Sequence, residues 1–170
     1  MANPMMNVEL SKRFNDAFEY RDGKLYWKIN TNKSKKLIGK EAGCASSGAY
    51  GVVNLDGKAY SIHKVIYCMF HGEMPIVVDH INRIYKDHRI ENLRAADHCT
   101  NNYNKQTQTN NKLGVKNVCW SKVHKKYLVQ ITKDRKNVFS KFFDDLELAD
   151  LCAHMAREKY HGEFANHGGK

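Results

Sequence analysis

The chain is 170 residues long, room for one domain or two small ones. Its formal net charge of +10 points to a polyanionic partner, the alternative being an evenly solvated basic surface. Residues 1–10 lack a secretory apolar segment and no apolar run reaches membrane length, so the expectation is a cytoplasmic protein with no membrane contact.

The N-terminal part reads as short strands. Residues 24–29 follow an Asp22-Gly23 turn, and residues 50–55 and 58–61 flank Asp56-Gly57, a pair suited to the left-handed backbone of a tight hairpin. Residues 33–40 form a basic loop, either solvated or touching phosphate. Residues 62–70 have a helical period. Ile62, Val65, Ile66, Met69 and Phe70 fall at i, i+3, i+4, i+7 and i+8, and Gly72 is placed to stop the helix. His63 and Lys64 lie off that stripe. His63 either faces a substrate or packs.

The next segment carries the chemistry. It reads Val78-Asp79-His80-Ile81-Asn82, then Arg89-Ile90-Glu91-Asn92-Leu93-Arg94, then Asn101-Asn102-Tyr103-Asn104-Lys105. Asn92 follows Asp79 by thirteen positions, and Asn101 follows Asn92 by nine. Histidine can accept a proton near neutral pH. Aspartate and the asparagine carbonyl are hard oxygen donors that suit Mg²⁺ better than zinc. A base beside such an ion is what phosphodiester hydrolysis needs: one activates water and the other offsets charge on the leaving oxygen.

At these residues the chain resembles the HNH endonucleases, in particular their phage-type branch. The resemblance implies a ββα-metal finger, with Asp79 and His80 near the end of its first strand and Asn101 on its helix. It makes His80 the general base, with Asn92 bonding across the hairpin loop to orient it. It makes Asp79 and Asn101 the ligands of one Mg²⁺ or Mn²⁺ ion, and Asn104 a second, less specific asparagine. The family often has asparagine where this chain has His88, which leaves DNA, metal or nothing as the contact of that ring.

Residues 106–113 are polar and read as a linker. A second pattern follows: strands at 115–120, 126–131 and 136–143 with short polar connections, an antiparallel meander in its simplest form. A helix comes next, with Asp144 as its cap and Glu147 completing a capping box. Leu146, Ala149, Ala153, Ala156 and Tyr160 repeat at helical spacing and would cover one face of the sheet. From Lys105 to Phe143 basic residues crowd, and Asp134 is the lone acid.

Gly114-Val115, Trp120, Tyr127, Val129, Ile131, Phe142-Phe143-Asp144, Ala149 and the ending from Tyr160-His161-Gly162 to Asn166 resemble the AP2/ERF-type DNA-binding domain. The resemblance implies a sheet lying in the DNA major groove with the helix behind it. Its DNA face would hold Lys116 or Asn117, Trp120, Lys122, Lys126 or Tyr127, Gln130 and Lys133. Arg89 and Arg94 would add contacts from the finger. Lysine offers a point charge rather than a fork for guanine, so the implied sequence preference is limited.

The five cysteines, Cys44, Cys68, Cys99, Cys119 and Cys152, form no C-x-x-C pair, so a zinc site of the usual spacing is not indicated. Their odd number and scatter suit reduced thiols.

These readings give an α+β chain. N-terminal β-hairpins and a helix lead into an HNH finger over 1–105, followed by a linker over 106–113. An AP2-like three-stranded antiparallel sheet on one helix completes the chain over 114–166. The expected function is a divalent-metal-dependent DNA endonuclease of homing type and phage origin, positioned on double-stranded DNA by the second module, as monomer or dimer. The alternative is a non-catalytic DNA-binding regulator on a nuclease scaffold. An RNase with the same chemistry is a third reading, disfavoured by the AP2-like module.

Overall fold

The computed structural model describes residues 4–31, 36–43 and 51–168. Lys33, Cys44 and Tyr50, which belong to the expectations above, lie outside the described residues. The chain divides into two compact units, Met1–Asp97 and His98–Lys170.

The first unit opens with a helix, α1 (Pro4–Ala17), in a segment to which the expectations above assign no element. The helix forms because Phe14 and Ala17, with Leu10 one turn earlier, turn into the core. Phe14 and Ala17 are fully buried, and Phe14 meets Tyr60 edge-on at 5.0 Å. Ser11 Oγ donates to the carbonyl of Cys68 at 2.8 Å and ties α1 to the next helix.

Two hairpins follow. β1 (Phe18–Arg21) pairs with β2 (Lys24–Trp27), and β3 (Val52–Leu55) with β4 (Lys58–Ser61), all antiparallel. Both turns are Asp-Gly with positive φ at each residue: 44° and 81° at Asp22 and Gly23, 51° and 79° at Asp56 and Gly57. Gly23 is required twice over, because a Cβ there would stand 3.0 Å from the backbone nitrogen of Arg89. The first hairpin thus packs beneath the 81–89 loop, and Tyr20 Oη accepts a bond from the Ile90 N–H at 3.1 Å.

α2 (Ile62–His71) ends at Gly72, whose left-handed φ of 71° brings its N–H to the Cys68 carbonyl. Val65, Ile66 and Cys68 are fully buried, and burial pushes the Cys68 thiol up to about 11. β5 (Val77–His80) then pairs antiparallel with β6 (Leu93–Ala96), and a 3₁₀ turn (Ile90–Asn92) leads into β6. Val78 and Leu93 join the core.

The second unit begins with α3 (His98–Tyr103), so the division falls before the expected end of the first domain at 105. The reason lies in long-range bonds. Lys116 Nζ donates to the carbonyls of Tyr103, at 2.7 Å, and Lys105. Asn166 Nδ2 donates to the carbonyl of Asn104, and the Tyr103 ring stacks on His161 at 4.0 Å.

β7 (Val118–Ser121), β8 (Lys126–Lys133) and β9 (Lys136–Phe143) form an antiparallel sheet in the order β7-β8-β9. β7 starts three residues later than the sequence suggested, since Asn117 takes a left-handed φ of 66° and interrupts the extended backbone. α4 (Leu146–His161) covers one face through Ala149 and Ala153 against Val118 and Val129. Its cap is Asp145 rather than Asp144. The Asp145 carboxylate accepts from the Leu148 N–H at 2.9 Å, while Asp144 pairs with Lys126. Among the described residues no helix is long and apolar enough to cross a membrane.

Candidate active site

Strand alternation and one short loop build the site. Asp79 and His80 are consecutive on β5, so their side chains leave on opposite sides of the strand, yet both are buried at 5% exposure. Asp79 faces Arg94 across the β5–β6 pair. Arg94 Nε and Nη2 both donate to Asp79 Oδ2, at 2.8 and 2.7 Å. The guanidinium expected to meet DNA therefore engages the expected metal ligand.

His80 sits in a group of three buried imidazoles. Its Nε2 lies 3.0 Å from His88 Nδ1, and the His63 ring is 5.4 Å from that of His80 and 5.8 Å from that of His88. Removal from water is the largest influence on all three rings, since charging a buried imidazole is costly. Burial, followed by the neighbouring rings, pushes His63 down to about 3. Burial and then His80 push His88 down to about 4. His80 is lowered by burial, with Asp79 and Asp87 opposing.

Asn92 closes the loop that follows His80. Its Oδ1 accepts from the Asn82 N–H at 2.9 Å. Its Nδ2 donates to Asn82 Oδ1 at 2.9 Å and to the Asp87 carbonyl at 2.8 Å. The Ile81 N–H reaches the Asn92 carbonyl at 2.9 Å. Asp87 accepts from Asn82 Nδ2 at 2.7 Å and from Arg89 Nε and Nη2 at 2.8 and 2.7 Å, and the Arg89 guanidinium holds its carboxyl below the usual range. The loop is thus fixed on both sides of His80 and His88. Sequence reading singled out Asn92 but missed Asn82 and Asp87, whose only signal is their place in an Asn- and Asp-rich turn.

Asn101 stands on α3 and Asn104 just beyond it, in the second unit. The residues expected to face DNA from the sheet divide by register. Trp120 pairs with Tyr127 and meets its ring at 4.8 Å. Both alternate in phase with Val118 and Val129, the side that α4 covers. Lys126 and Gln130 alternate to the opposite side, in phase with Leu128. Lys122 follows β7 at its turn, and Lys133 ends β8. Lys116 spends its ammonium on α3 carbonyls and Lys126 pairs with Asp144, whereas the Asn117 carbonyl accepts from the Gln130 N–H at 3.0 Å.

This arrangement can take a proton at His80, hold its ring in one tautomer through His88, and present a carboxylate one residue away. Neither the curated proteins nor the solved structures contain a match to the chain. Residues 60–103, which hold α2, the 81–89 loop and all three buried imidazoles, match the model of the HNH endonuclease family and support an HNH nuclease acting on DNA.

Proposed function

We propose that the chain is a divalent-metal-dependent DNA endonuclease in which His80 is the general base. The observation that carries this reading is the buried His80–His88 bond beside the Arg94-held Asp79, inside the matched segment. His80 can act through Nδ1 only if its proton lies on Nε2. A neutral His88 accepts that proton's hydrogen bond at Nδ1, and its low pKa of about 4 keeps it an acceptor at pH 7. When His80 takes the proton of the attacking water, the bond to His88 persists and keeps the imidazolium in place. Asn92 fixes the backbone of Ile81 and Asn82, directly after His80.

The donor set fits a hard divalent ion. Asp79 supplies a carboxylate already oriented by an outer hydrogen bond, as ligating carboxylates commonly are, and Asn101 an amide oxygen. We assign these two as the ligands of Mg²⁺ or Mn²⁺, Asn101 from motif order alone. Such an ion supplies charge neutralisation at the leaving oxygen.

The second unit then positions the nuclease on double-stranded DNA in an AP2-like manner, with Asn117, Lys122, Gln130 and Lys133 nearest the duplex, Trp120 lying instead on the side of α4, and Arg89 adding a contact from the finger. One base and one ion make one cut per encounter, so a monomer nicks and a double-strand break takes two events or a dimer. The reading places the protein among phage homing-type enzymes working in a host cytoplasm.

The test is cleavage of supercoiled plasmid and phage DNA with Mg²⁺, resolving nicked from linear product, for the wild type and His80→Ala. Nicking by the wild type that the variant lacks supports the reading. Duplex binding with no cleavage in Mg²⁺ or Mn²⁺ replaces it with a DNA-binding regulator.

A further inference from the structure

The second unit gathers three ligating side chains that the nuclease chemistry does not use. His154 and Glu158 lie one turn apart on α4, and His167 comes from the tail beyond a closing 3₁₀ turn (Gly162–Phe164). His154 Nδ1 is 3.7 Å and His167 Nε2 3.8 Å from the same Glu158 oxygen. A ligand atom from each lies within 4.8 Å of the other two, and among the described residues no other three His, Cys, Asp or Glu come this close. The two imidazole rings stack with centroids 3.2 Å apart and planes 8° from parallel.

We propose that His154, Glu158 and His167 form a binding site for a divalent ion of the zinc class. Bonds of about 2.0–2.2 Å place tetrahedral donors roughly 3.3–3.5 Å apart, so the two separations to the Glu158 oxygen are close to those of a loaded site. The side chains can close the remaining gap by rotating, since they are 45%, 62% and 33% exposed. Two imidazoles with one carboxylate favour Zn²⁺, Co²⁺ or Ni²⁺. Mg²⁺ prefers oxygen throughout and holds its water. Three protein ligands leave the fourth position to water.

Two features limit the affinity. Parallel rings do not aim their lone pairs at one point, so one ring must turn. Arg157 Nε also donates to His167 Nδ1 at 3.4 Å, which puts the His167 proton on Nε2. Loading the ion at Nε2 moves that proton to Nδ1 through solvent and breaks this long bond, and the Arg157 charge opposes the cation. Binding is therefore micromolar rather than as tight as in a closed four-ligand site.

The position suggests what the ion does. Asn166, beside His167, donates to the Asn104 carbonyl at the end of α3, and Arg157 Nη1 donates to the Lys116 carbonyl at 2.6 Å. Lys116 in turn holds the carbonyls of Tyr103 and Lys105. An ion joining His167 to α4 fixes the tail that closes α3.

The experiment is equilibrium dialysis of the metal-stripped full chain against Zn²⁺, with thermal melts in the presence and absence of Zn²⁺. His80→Ala runs in parallel, because the His63, His80 and His88 group offers a competing set of imidazoles. The expected result is a Zn²⁺ ion that His80→Ala retains and that excess Mg²⁺ does not displace. His154→Ala, Glu158→Gln and His167→Ala should each weaken it by about ten-fold or more. The melting midpoint should rise with Zn²⁺ in the wild type and not in Glu158→Gln, an exposed isosteric change that keeps the test valid if a histidine variant misfolds. No uptake by the wild type at micromolar Zn²⁺, or uptake unchanged in Glu158→Gln and His167→Ala, overturns the site.

Discussion

Nε2 of His80 and Nδ1 of His88 are 3.0 Å apart in a buried setting, so a single proton lies between them and fixes both tautomers. With the proton on His80, His88 needs only an acceptor. Asparagine offers one at its carbonyl oxygen and leucine offers none. His88→Asn is therefore expected to cleave within about ten-fold of the wild type, and His88→Leu to lose about 10–100-fold, mainly in kcat. Equal rates for the two variants, with both proteins folded, would remove His88 from an orienting role.

His80→Ala removes the proposed proton acceptor and no side chain assigned to DNA contact. Loss of a general base typically costs ~10²–10⁴-fold. Cleavage should fall by that factor, while the dissociation constant for duplex DNA, read by gel shift, stays near the wild-type value. EDTA should stop the wild-type reaction, and a rate undiminished in EDTA would end the metal assignment.

Arg94 is expected to matter for stability before it matters for DNA. Its bond to Asp79 joins two side chains that are 14% and 7% exposed. Breaking a buried pair by removing one partner costs about 3–5 kcal/mol, because the other charge stays behind. Arg94→Leu should lower the denaturation midpoint accordingly, and Arg94→Lys by less. A midpoint unchanged in Arg94→Leu would mean that the pair contributes nothing to the fold.

The hairpins were legible because Asp22-Gly23 and Asp56-Gly57 are local signals, and α2 because its apolar stripe repeats within ten residues. α1 was not. Its Leu10, Phe14 and Ala17 are set among polar residues, and only the core they enter makes them a helix face. The order Asp79, His80, Asn92 was readable as chemistry. The Asp79–Arg94 and His80–His88 bonds were not, since the first is a property of strand register and the second of loop closure. α3 joins the second unit through partners up to 62 positions away, beyond any periodicity. The choice of Asp145 over Asp144 as cap depends on which carboxylate reaches the Leu148 N–H, a matter of one residue in phase.

Buried neutral histidines set the pH dependence of stability. His63 is pushed down to about 3 by burial, and His161, which shares a bond with the Thr132 carbonyl at 3.1 Å, is lowered as well. Above about pH 6.5 these rings are neutral folded or unfolded and contribute no pH dependence. Below it the unfolded chain takes up protons that the folded rings refuse, so stability falls by about 1.4 kcal/mol per pH unit per histidine until the folded pKa is reached. The urea midpoint should drop between pH 7 and pH 5, and His63→Leu should flatten that drop. A midpoint that does not move over this range would contradict the burial of these rings.

Removing residues 112–170 tests what the second unit does for cleavage. If it served only to grip DNA, residues 1–111 would remain a weak nuclease with little site preference and a shallower salt dependence of binding. The structure gives it a second task. α3 has six residues, too few to hold as a helix alone in water, and Lys116, His161 and Asn166 all bear on its end. Truncation removes all three supports, so cleavage should fall to background even where DNA still binds at low salt. Asn166→Ala in the full chain separates the two roles. It leaves the basic residues in place, so the salt slope of binding should stay within one unit of the wild type while the cleavage rate drops several-fold. Wild-type cleavage by residues 1–111, or a change in salt slope without a change in rate for Asn166→Ala, would show that α3 does not depend on this support.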